Sequence, residues 1–81
     1  MKAEKIKQII EIGASLFGFE YKNKECNIDP CYNRKNQCQE YLLYCDGNEM
    51  MVYSIDEVMN TPFFDGRSLN EIAEGIIITE Y

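Results

Sequence analysis

At 81 residues the chain is long enough for one hydrophobic core and too short for two, and 46% apolar residues is the balance of a folded domain rather than a disordered one. No apolar run approaches the ~20 residues that a membrane-spanning helix needs, and charges interrupt the opening Met1-Lys2-Ala3-Glu4-Lys5-Ile6-Lys7, so neither a signal peptide nor a membrane anchor is expected. The formal net charge of −6 is unevenly placed: residues 1–37 hold seven basic residues against five acids, whereas residues 38–81 hold Arg67 alone against nine acids. Phosphate repulsion by that second half disfavours direct nucleic-acid or anionic-membrane binding and points to a basic protein partner.

Ile6, Ile9, Ile10, Leu16 and Phe17 recur at helical spacing with Lys2, Lys5, Gln8 and Glu11 turned elsewhere, which predicts an amphipathic helix over about residues 3–17, stopped by Gly18. Phe19-Glu20-Tyr21-Lys22 alternates and reads as a short strand. Residues 23–37 are polar, carry Pro30 and several asparagines, and include Cys26 and Cys31, with Cys38 just beyond. This stretch reads as a cysteine-rich loop of a length that compact domains reserve for function.

Gln39 to Cys45, Asp46-Gly47 and Asn48 to Tyr53 together read as a β-hairpin, because Asp-Gly accepts positive φ at both centres of a type I′ turn. That turn sets Leu43 opposite Met50 and Tyr41 opposite Val52 on one side, with Leu42 opposite Met51 and Tyr44 opposite Glu49 on the other. Both sides carry apolar groups, so the hairpin is expected either to be covered twice or to keep one face for a partner. Met50, Met51 and Tyr53, with Asp46 and Glu49, are the candidate partner-binding residues, since methionine adapts and tyrosine anchors at interfaces.

Ser54-x-x-Glu57 and Ser68-x-x-Glu71 have the capping-box arrangement, each ahead of a short apolar periodicity, so two short helices are expected, the first ended by Thr61-Pro62 and the second by a left-handed Gly75. Ile76 to Tyr81 is β-branched without alternation, as in a strand buried on both faces or paired against the hairpin. The order helix, hairpin, two short helices, strand predicts one α+β domain over residues 1–81, in two layers with helices against a small, mainly antiparallel sheet. At this size self-association into a homodimer is a further option.

The chain contains no histidine, which removes the commonest general base and every Ser-His or Cys-His pair. Asp46 with Glu49 and Asp65 with Glu71 are turn and cap residues before they are acid-base pairs, and no phosphate-cradling glycine motif or calcium loop occurs. The chain is therefore expected not to be an enzyme. Cys26, Cys31, Cys38 and Cys45 are spaced C-x4-C-x6-C-x6-C. An extended Cys38 to Cys45 spans roughly 23 Å and turns the two thiols to opposite faces, which argues against a four-thiolate site. Cys26, Cys31 and Cys38 remain the candidate zinc ligands, with an acid such as Asp29, or a close approach by Cys45, as the fourth. Without an export signal the thiols are expected to be reduced and the chain cytoplasmic. The favoured expectation is a regulatory interaction module presenting its acidic C-terminal half to a basic partner, for instance as an inhibitor of a nucleic-acid-binding protein. The alternative is a small zinc-binding domain.

Overall fold

The amphipathic first segment folds as helix α1, Ala3–Ile12, with Ile6 and Ile10 buried against the sheet. It ends five residues earlier than its apolar spacing suggests. Gly13 leaves helical geometry at φ −75° and ψ 139°, and Phe17, which the spacing put on the helix, instead begins a strand. The computed structural model describes residues 2–13 and 15–81, so Ala14, inside the expected helix, lies outside the described residues.

Strands β1 (Phe17–Tyr21), β2 (Lys24–Asn33), β3 (Cys38–Cys45) and β4 (Asn48–Val52) follow as an antiparallel meander. Helices α2 (Ile55–Asn60) and α3 (Leu69–Ile72), the latter continued by a 3-10 turn over Ala73–Gly75, lead to β5 (Ile77–Glu80), which returns antiparallel to β1. The sheet order is β4-β3-β2-β1-β5, and the molecule is α+β.

The Asp46-Gly47 turn forms with φ of 50° and 89°, and the β3–β4 register pairs Tyr41 with Val52, Leu42 with Met51, Leu43 with Met50 and Tyr44 with Glu49, as the turn dictates. Lys22 and Asn23, at φ 50° and 63°, make the equivalent tight connection from β1 to β2.

The expected loop over 23–37 is instead mostly β2, paired along its length with β3 from Cys26 opposite Cys45 to Asn33 opposite Cys38. Proline is tolerated there for a geometric reason. Cys26 and Cys45 lie 4.1 Å apart between Cα atoms, the close spacing of a non-hydrogen-bonded pair, and because the two classes alternate, Pro30 opposite Tyr41, an even number of residues further along, falls in the same class. Its missing N–H therefore points away from β3, toward the side where β1 has already ended at Phe17 opposite Ile28. The same pairing corrects the expected state of the thiols: Cys26 and Cys45 form a disulfide across the two strands.

The helices cover one face. Phe17, Phe19, Tyr21, Cys26, Ile28, Tyr41, Leu43, Cys45 and Val52 alternate along their strands and form a single core with Ile6, Ile10, Val58, Met59, Phe64, Leu69 and Ile72. Phe64 stands edge-on to Phe19 at 5.4 Å between ring centroids, and neither ring touches solvent. Burying such a ring stabilises the fold by about 2–3 kcal/mol.

Three local expectations change. Ser68 and Glu71 make the full reciprocal capping box, but at α2 only Ser54 caps Glu57 N–H, at 3.1 Å, while the Glu57 carboxylate accepts from Tyr53 N–H instead. Gly75 is not left-handed, because the chain leaves α3 through the 3-10 turn. Strand β5 is neither doubly buried nor paired with the hairpin; it is the sheet edge beside β1, with Ile77 64% exposed.

Candidate interaction surface: the open face of the sheet

With the helices on one side, the side chains that alternate with the core form a second sheet face carrying no helix. β1 contributes Glu20, β2 contributes Glu25, Asn27 and Asp29, β3 contributes Glu40, Leu42 and Tyr44, β4 contributes Glu49 and Met51, and β5 contributes Ile77. None of the described positions that project to this face is a lysine or arginine. Adjacent strands run ~4.8 Å apart, so these groups form one continuous layer.

Glu20 lies directly opposite Glu25, a like-charge pair that strand pairing disfavours. Glu40 accepts a hydrogen bond from Asn33 Nδ2 at 3.0 Å, which orients the carboxylate without neutralising it. The ion pairs among the described residues lie elsewhere: Lys7 with Asp56, and Lys22 and Lys24 with Asp65. The carboxylates are therefore separated from the cations that the same chain carries. An apolar strip crosses the same layer where Leu42 stands opposite Met51, with Tyr44 one pair further on between Asn27 and Glu49.

The expected partner-binding residues separate. Glu49 and Met51 belong to the open face, Met51 being 37% exposed. Met50 projects to the helix-bearing side at the β4 edge and is 44% exposed, Asp46 occupies the turn, and Tyr53 follows β4 as an exposed ring. Glu20, Glu25 and Glu40 were not anticipated as site residues, and Asp29 was expected only as a metal ligand. The signal that reveals them is parity, since residues 25, 27 and 29 alternate with Cys26 and Ile28 once residues 24–33 are read as a strand.

The structure does not bring Cys26 together with Cys31 and Cys38. Cys26 is bonded to Cys45 within the core, whereas Cys31 and Cys38 are half-buried free thiols on the opposite face. Among the described residues no group of three or more cysteine, aspartate or glutamate side chains is placed to hold a metal ion. Burial pushes the Cys31 thiol up from its ordinary pKa, and the charges of Asp29 and Glu40 push it further. Among the described residues no helix is long and apolar enough to cross a membrane.

No protein-family model matches this chain, and neither a curated protein nor a solved structure shows significant similarity to it.

Proposed function

We propose that the chain is a non-catalytic interaction module whose open sheet face docks on a basic partner. The observation that carries this reading is the segregation of charge: a continuous sheet face holds Glu20, Glu25, Asp29, Glu40 and Glu49 with no lysine or arginine among them. Like charges set side by side oppose folding, and their retention around an apolar strip is the pattern of a surface shaped by what it binds. The acidic surface thus draws on both halves of the sequence rather than on the C-terminal half alone. A sheet of fixed negative charges meets the surface with which a nucleic-acid-binding protein receives phosphates, so competitive inhibition of such a protein is the activity this face suits best.

The test compares the native chain with a variant carrying Glu20→Gln, Asp29→Asn, Glu40→Gln and Glu49→Gln, both immobilised against extract and against a lysine-rich peptide. Native retention is expected to fall at least tenfold between 50 and 300 mM salt and to be lost in the variant, while a control pair, Asp56→Asn with Glu74→Gln, leaves it unchanged. Retention indifferent to salt, or equal in the neutralised variant, rejects the reading. The variant is also expected to be the more stable protein, because replacing one member of the Glu20–Glu25 pair relieves about 0.5 kcal/mol of repulsion.

A further inference from the structure

The other side of the sheet holds a second feature, distinct from the open face. The β2–β3 arm continues past the end of β1, and its helix-facing side chains, Pro30 opposite Tyr41 and Tyr32 opposite Gln39, stand across from the last turn of α1. Between them lies a cleft of about 360 Å³ lined by Ile10, Glu11, Pro30, Tyr32, Gln39 and Tyr41, together with Ile12 and Gly13.

Independent properties of this cleft select one ligand chemistry. Tyr32 and Tyr41 occupy diagonal positions on adjacent strands, close enough to present two aromatic rings to one guest, and aromatic rings attract cations through their negative faces. Glu11 supplies the cleft's carboxylate, and among the described residues it has neither an ion pair nor a hydrogen bond. The lining contains no lysine or arginine. The wall from α1 is the negative end of a ten-residue helix whose last turn carries no basic residue, so its terminal carbonyls add to the same field. Burial raises the Tyr41 phenol pKa and the nearby Glu11 charge raises it further, which fits the two groups sharing one recess. Ile10 and Pro30 give the apolar surface on which an aliphatic stem rests.

We propose that this cleft binds an alkyl cation, an ammonium or guanidinium group on a short aliphatic stem. The source is either a free amine or a lysine or arginine side chain of a protein, and the two are separated by experiment. The ¹⁵N-labelled chain is titrated with n-butyltrimethylammonium, n-butylguanidinium, the neutral alcohol n-pentanol and a capped Gly-Lys-Gly peptide, following backbone amide shifts. Saturable shifts centred on Tyr32, Gln39 and Tyr41 are expected for both cations and not for the alcohol. Glu11→Gln is expected to weaken cation binding at least fivefold and Tyr32→Ala at least threefold; both side chains are exposed, so the fold is retained. Peptide binding at least tenfold tighter than the free cations assigns the cleft to a protein side chain, and equal or weaker binding assigns it to a small amine. Shifts that stay linear in concentration, that spread over the open face instead, or that persist unchanged in Glu11→Gln overturn the proposal.

Discussion

Asp65 fastens the loop between α2 and α3 to the far end of the sheet through a single side chain. Its carboxylate oxygens lie 3.3 Å from Lys24 Nζ and 3.6 Å from Lys22 Nζ, and Lys22 also sits 5.3 Å from the Tyr21 ring centre. Asp65 itself is left-handed, at φ 58°, and Gly66 follows at φ 77°, so the turn aims the carboxylate back at the β1–β2 connection. The hydrogen bond from Lys24, then the charges of Lys24 and Lys22, hold the Asp65 carboxyl below its ordinary pKa. A carboxyl lowered on folding stabilises the native state fully above the ordinary aspartate range, about pH 4, and ceases to do so as the pH falls through the lower folded value. Because the group is open to solvent, its contribution is small and sensitive to salt. Asp65→Asn keeps the tolerance for positive φ and removes the charge. Its melting temperature is expected to lie below that of the native chain at pH 7 and low salt, with the two converging as the pH falls below the ordinary aspartate range. A gap of constant size across that range would mean that the ion pairs are not its source. Glu71, held low first by the hydrogen bond its carboxylate accepts from Ser68 N–H and then by the Ser68 side chain, adds a second group that loses its stabilising effect in the same acid window.

At the scale of elements, the β2–β3 hairpin is where the sequence reading and the structure part. The β3–β4 hairpin was legible because Asp46-Gly47 fixes a turn type and the turn fixes a register, and the short helices were legible from Ser54 and Ser68. Residues 24–33 resemble a loop because only Cys26 and Ile28 along them are buried, while Pro30, Tyr32 and Asn33 extend past β1 into the free arm. Local composition reports such a half-supported strand poorly; its evidence is the partner strand, 19 residues away where Cys26 meets Cys45. The disulfide makes that pairing covalent, and closing a loop of this length contributes about 3 kcal/mol through the restricted unfolded chain. The double variant Cys26→Ala with Cys45→Ala is expected to lose stability of that order in urea unfolding. It should also abolish the difference in unfolding midpoint between oxidised and reduced samples that is expected of the native chain. A native midpoint insensitive to reductant would contradict this.

Over the whole molecule, charge is sorted by surface rather than by position in the sequence. The cations of the first half lie on α1, at the β1–β2 turn, where Lys22 and Lys24 are taken up by Asp65, and at the tip of the β2–β3 arm. The acids of β1 and β2, which a count over residues 1–37 hides among seven basic residues, project to the open face beside Glu40 and Glu49. The hairpin register placed Glu49 and Met51 on one side from the sequence alone, whereas Glu20, Glu25 and Asp29 went unplaced, because their side depends on strand parity in a segment whose strand was not evident.

The bond between Cys26 and Cys45 also closes a ring of chain whose exposed turn holds Arg34 and Lys35. Scission there opens the backbone without releasing either piece, since the bridge spans the cut. Limited trypsin treatment at this turn is expected to leave one band of undiminished mass on a gel run without thiol, and two fragments once thiol is added. The nicked molecule should keep its sheet and its affinity, so that this tip is a place where the chain tolerates being cleaved or having foreign sequence grafted in.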